Sequence, residues 1–171
     1  MGEEKRKALD CKASDNAYLH RDFHGALCYA LKYLDETLGE DATREYLEQV
    51  AETCFAPLSE AIAERGLLAL EEHWRRVFST EGGDWEIAYD ADGALTLTVR
   101  QCPAVAHLKS IGQFHTPRFC ETTRIVNAIV CRRASYEASC EYEPGAGRCV
   151  QRVHKQIPAK QTQGEPHAQD P

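Results

Sequence analysis

Residues 85–99, WEIAYDADGALTLTV, change the period of the chain and decide its fold class. The run Trp85-Glu-Ile-Ala-Tyr alternates, and Leu95-Thr-Leu-Thr-Val alternates again. Successive side chains of a strand point to opposite faces, so such runs present one apolar edge and one polar edge. Between them Asp90-Ala-Asp-Gly93 has turn chemistry, and the three parts predict a β-hairpin.

Upstream of the hairpin the spacing is helical. Leu19, Phe23, Ala26, Leu27, Ala30, Leu31, Leu34 and Leu38 form an apolar stripe over residues 18–38, and Gly39 marks its end. Asp41 reads as the N-cap of a second helix carrying Tyr46, Leu47, Val50, Cys54 and Phe55, with Pro57 kinking or restarting it. A third stretch covers Leu58 to Glu64, and Gly66 opens a fourth through Trp74, Val77 and Phe78.

Downstream, Cys102-Pro103 closes the second strand, and Ala104 to Ser110 fits one or two helical turns. Phe119 to Ala128 predicts a helix. Ser135 to Glu143 and Arg148 to His154 predict two strands joined by a Pro-Gly-Ala-Gly turn. Residues 1–15 are expected to be flexible, and the tail from 157 to 171, almost without apolar content, to be disordered. The expectation is a single α+β domain over residues 16–156, with N-terminal helices packed on a mainly antiparallel sheet and one embedded C-terminal helix.

The composition narrows the function classes. The chain has 171 residues, 43% of them hydrophobic, which suits one sizeable core. Its 27 acidic and 20 basic residues give a net charge of −7, which argues against a nucleic-acid partner. The charged start has no signal-peptide core, Arg6 stands where a myristoylation signal needs Ser or Thr, and no run approaches the roughly 20 apolar residues of a membrane span. The reading is a cytoplasmic protein without a membrane partner. Eight cysteines beside one methionine are then buried hydrophobes, metal ligands or nucleophiles rather than disulfides.

Four groups of residues carry candidate chemistry. His20-Arg-Asp-Phe-His24, with Cys28 four residues on, places two imidazoles and a thiol near one helix face, and Asp22 could orient a partner group. The alternative is a polar helix edge. Cys102 and His107 follow the end of a strand, where a base beside a thiol would make a nucleophile; a buried cysteine beside a surface histidine is the other reading. Cys120, Glu137, Cys140 and Cys149 could supply three sulfurs and one oxygen to tetrahedral zinc. Glu137 and Cys140 have opposite strand parity, so both reach one ion only through a bulge or twist. Arg118, Glu121, Thr122, Thr123, Arg124 and Asn127 could line a pocket for a small carboxylate, or form an ordinary solvated face. His73-Trp74-Arg75-Arg76 reads as solvent-facing charge with an aromatic anchor.

The order of helical N-terminus, hairpin, Cys-Pro, cysteine-led helix and strand-turn-strand over residues 58–154 resembles the L-2-amino-thiazoline-4-carboxylic acid hydrolase family. It is also similar to the 4-vinyl-reductase type of small-molecule-binding domain, whose Glu-x-x-Cys, glycine turn and second Cys are matched by Glu137, Cys140, Gly145, Gly147 and Cys149. The second resemblance implies a structural zinc, with Cys120 as the upstream ligand. The first implies a hydrolase that opens a cyclic, carboxylate-bearing amidine or thiazoline at a C–N or C–S bond. Such chemistry needs a thiol or activated water, a general acid and a cation for the carboxylate. Cys102, His24, His107 and Glu121 are the catalytic candidates, and Arg118, Arg124 and Asn127 the substrate-binding ones. The competing expectation is a non-enzymatic small-molecule-binding or sensory domain with a zinc site.

Overall fold

The computed structural model describes residues 17–156, with side chains from Phe23 onward. Expectations for residues 1–15 and 157–171, and for the side chains of His20 and Asp22, lie outside the described residues. The element order is α1 (Ala17–Thr37), α2 (Glu40–Cys54), α3 (Ala56–Arg65), α4 (Leu67–Glu81), β1 (Asp84–Tyr89), β2 (Leu95–Gln101), α5 (Pro103–Ser110), α6 (Phe119–Arg133), β3 (Tyr136–Tyr142) and β4 (Cys149–Lys155). This is the expected α+β class. None of the described helices is long and apolar enough to cross a membrane.

The four strands form one antiparallel sheet in the order β1-β2-β4-β3. In the hairpin Trp85 lies opposite Val99, Ile87 opposite Leu97 and Tyr89 opposite Leu95, so the apolar positions of both strands share one face. Leu95, Leu97 and Val99 continue across β4 into Val153, and all four are buried. Helix α6 covers that face with Val126, Ile129, Val130 and Cys131, joined by Leu70 and Trp74 of α4. Burying a leucine fully is worth about 1.5–3 kcal/mol, so this face dominates the core. The opposite face is polar and carries the ion pairs of Arg100 with Asp84 and Glu86, and of Arg152 with Asp90 and Asp92.

Several boundaries differ from the sequence reading by a residue or two, and two differences have a clear physical cause. Asp41 is not an N-cap: Gly39 occupies that position, and Glu40 and Asp41 sit in the first turn of α2, where acidic groups favour the helix dipole. Helix α6 runs on to Arg133, because Ile129, Val130 and Cys131 continue its buried stripe past Ala128. It stops where Ser135 adopts φ 64, which feeds the chain into β3. The third and fifth helices each have proline in the first turn, where the missing N–H costs nothing.

Candidate functional site

A cavity of about 500 Å³ opens between α1, α2, α4, the start of α5, and α6. Its walls are mainly apolar. Helix α4 contributes Trp74, Val77 and Phe78, α6 contributes Phe119 and Val126, and the α2–α3 junction contributes Phe55. The polar groups are few. They are His24 of α1, Tyr46 and Cys54 of α2, Glu81 of α4, Cys102 at the start of α5, Thr122, Thr123 and Asn127 of α6, and Gln151 of β4.

His24 and Glu81, 57 positions apart, form a hydrogen bond of 2.8 Å between Nε2 and a carboxylate oxygen, and both side chains are largely withdrawn from solvent. The His24 ring also meets Phe119 edge to face at 5.9 Å between centroids. On the opposite wall the Asn127 amide donates to the Gln151 carbonyl oxygen at 2.6 Å, and the Gln151 amide donates to the Cys149 sulfur at 3.4 Å. Gln151 is only 4% exposed, so this chain of bonds satisfies a carboxamide that would otherwise be costly to bury.

Cys102 is half-buried and takes the N-cap position of α5. Burial pushes its thiol above the ordinary value, while the N–H groups of Val105 and Ala104 pull it back. Its own N–H donates to the Gly147 carbonyl at 2.8 Å, which ties this junction to the β3–β4 turn. Gly147 has φ 74, and a β-carbon there would stand 3.0 Å from Val105, so only glycine allows the turn to approach α5 so closely.

The structure distributes the other expected residues elsewhere. His107 lies further along α5 and does not line the cavity with Cys102. Cys28 is fully buried beside Ala104, Val105, Leu108 and Phe119, so it is part of the apolar packing. Arg118 pairs with Asp35 at 2.7 Å and Glu40 at 3.5 Å; Asp35 also accepts from Thr43 at 2.6 Å. This network joins α1, α2 and α6 away from the cavity. Arg124 pairs with Glu121 at 2.6 Å, and the Tyr142 hydroxyl donates to the same carboxylate. The Arg124 guanidinium holds the Glu121 carboxyl below its ordinary value, and burial pushes the Tyr142 hydroxyl up to about 12. Of the three substrate-binding candidates only Asn127 lines the cavity, and of the four catalytic candidates only His24 and Cys102 do.

Cys140 and Cys149 share the inner face of the β3–β4 hairpin, where the Cys140 thiol beside it draws the Cys149 thiol below its ordinary value. The same contact, with burial, raises Cys140. Burial pushes Cys120, in the first turn of α6, up to about 12. Glu137 is exposed on the other face of the sheet, opposite His154, and no bulge brings it round. The set of three cysteines with Glu137 therefore does not fit one ion. As placed, no three histidine, cysteine or carboxylate groups among the described residues could hold a metal ion.

Two site residues escaped the sequence reading although each left a sign. Glu81 puts an acid in the last turn of a helix, where the dipole disfavours it. Gln151 is a polar residue at inward strand parity between Cys149 and Val153. No protein-family model, no curated protein and no solved structure matches the chain.

Proposed function

We propose that this chain is a small-molecule-binding domain whose ligand is mainly apolar and occupies the cavity between α1, α2, α4 and α6. The cavity itself carries this reading. Its volume of about 500 Å³ falls within the range of small-molecule sites, and aromatic walls with a few placed polar groups are what such sites use. The pairs His24–Glu81 and Asn127–Gln151 orient a ligand by hydrogen bonding. No lysine or arginine lines the cavity among the described residues, and Arg118 and Arg124 are held by carboxylates elsewhere. A carboxylate on the ligand therefore gains little support.

The test is a titration of the purified chain with neutral bicyclic aromatic probes, followed by quenching of tryptophan fluorescence, since Trp74 lines the cavity. Saturable quenching is expected, weakened at least tenfold in Thr123→Trp, which fills the space. Absence of saturable binding, or binding that T123W leaves unchanged, overturns the reading.

One observation favours a second reading, a hydrolase: Cys102 and His24 face the same cavity, with Glu81 bonded to His24. In that arrangement the Cys102 sulfur adds to the C=N carbon of a thiazoline, and the ring C–S bond breaks as His24 passes the thiol proton to the leaving sulfur. Water then displaces Cys102 to leave a urea and the free thiol, with Glu81 orienting the imidazole. Turnover of a thiazoline carboxylate, lost in Cys102→Ser while probe binding persists, supports it. Binding without turnover in the unaltered protein sinks it.

A further inference from the structure

The polar wall of the cavity spends its hydrogens largely within the protein. The Thr122 hydroxyl donates to the Phe119 carbonyl at 2.7 Å. The Asn127 amide donates to Gln151, and the Gln151 amide donates in turn to Cys149. A hydroxyl or carboxamide that gives a hydrogen away keeps its oxygen as an acceptor. Among the described residues, no donor is bonded to Asn127 Oδ1. Glu81 is acceptor-only, and its carboxylate bonds His24 at 2.8 Å. The wall therefore asks a ligand for hydrogen-bond donors more than for acceptors.

Charge points the same way. Among the described residues that line the cavity, Glu81 is the one acid, and there is no lysine or arginine. A carboxylate of −1 beside an imidazole of 0 or +1 leaves the lining at −1 or 0, never positive. Both side chains are largely withdrawn from solvent, where screening is weak. Glu81 also ends a column of rings. Trp74, Phe78 and Glu81 follow one another at spacings of four and three on α4, so they share one helix face. At 1.5 Å of rise per residue the column spans about 10 Å, the length of a bicyclic ring with a two-carbon arm. On the His24 side of the pair, Phe119 meets the imidazole edge to face. Aromatic faces attract cations, and an acid at the end of a ring column adds to that attraction.

We propose that the ligand class is an arylalkyl ammonium, an apolar ring packed along Trp74 and Phe78 with a protonated primary amine at Glu81. The inference rests on the reading of the cavity as a small-molecule site and adds the sign of the ligand's charge. An ammonium carries three N–H donors and no acceptor, which complements a wall rich in unspent oxygens. A carboxylate at the same end would set lone pairs against lone pairs and meet Glu81 with like charge. Binding is non-covalent, and the complex forms and dissociates with the amine protonated throughout.

The test is calorimetric titration of the full chain at pH 7 with three matched probes, a naphthylethyl group ending in ammonium, in hydroxyl or in carboxylate. The ammonium probe should bind about tenfold more tightly than the hydroxyl probe, and the carboxylate probe about tenfold more weakly than it. Glu81→Gln keeps a polar partner for His24 and removes the charge, so it should cut the ammonium-to-hydroxyl ratio to below about threefold. Should that variant fail to fold, the order of the three probes on the unaltered chain decides. Hydroxyl binding as tight as ammonium, carboxylate binding tightest, or a ratio that E81Q leaves intact overturns the proposal and leaves the cavity reading standing. Binding of none of the three overturns both.

Discussion

The cavity and the thiol corner, that is Cys140 and Cys149 on the inner face of the β3–β4 hairpin, meet at the start of α5, and they are built by different rules. Cavity residues come from helices far apart in sequence, brought together by side-chain packing: His24 meets Glu81 across 57 positions. Thiol-corner residues are placed by strand register and by one backbone bond from Cys102 to Gly147. Register is fixed by hydrogen bonds at every second residue and moves only as a whole. Helix packing yields locally. The cavity is therefore the region where single substitutions act separately, and the thiol corner is the one that keeps its geometry until the sheet itself fails.

The largest expected effect is one that erases this difference. Leu97 is 0% exposed at the centre of the inner face and supports both regions. Leu97→Ala should lower unfolding free energy by about 2–5 kcal/mol, read from urea denaturation. Aromatic-probe binding and the protection of Cys140 and Cys149 from a thiol reagent should weaken together. If probe binding falls and thiol protection holds, the two regions do not share this core.

How much of each region could be read in the sequence follows from the same difference. The hairpin over residues 85–99 was legible because alternation is a local pattern, and the apolar stripes of α1 and α2 were legible for the same reason. The end of α6 was not, since Ile129-Val130-Cys131 is a consecutive apolar run whose spacing does not separate helix from strand, and burial against the sheet decides it. Strand parity already set Glu137 against Cys140, and the structure keeps them on opposite faces. In the cavity, spacing suggested Cys102 with His107, but the residue that shares the cavity with Cys102 is His24, 78 positions earlier in the chain. Glu81 pairs with His24 through the packing of α1 near α4, and no local pattern encodes that meeting. Arg118 and Arg124 had the right chemistry for an anion, and carboxylates of the same chain took them.

A middle-sized effect should touch the cavity alone. Glu81→Ala removes the acceptor of the 2.8 Å bond from His24, in a place withdrawn from solvent. Loss of a buried hydrogen-bond partner costs about 1–3 kcal/mol, which thermal or urea unfolding would register. Probe affinity should change as well, because His24 is no longer held against the wall. Protection of Cys140 and Cys149 from a thiol reagent should be unaltered. A parallel loss of thiol protection would show that the cavity wall and the thiol corner move as one unit.

The smallest effect sharpens the contrast through pH. Glu121, beside the thiol corner, is ion-paired like the cavity's Glu81, but its partner Arg124 has a side chain 47% exposed. Arg124 holds the folded-state carboxyl below the ordinary value, so folding favours the ionised form. This contribution is fully present above the unfolded pKa, near 4.3 for a glutamate, and is lost as pH falls through the lower folded value. Solvent screening of Arg124 limits it to less than about 1 kcal/mol. Glu121→Gln should therefore flatten the acid limb of the stability curve slightly and leave stability above pH 6 almost unchanged. A loss at neutral pH as large as that of Glu81→Ala would mean that the Tyr142 hydroxyl bond, not the ion pair, is what this carboxylate contributes.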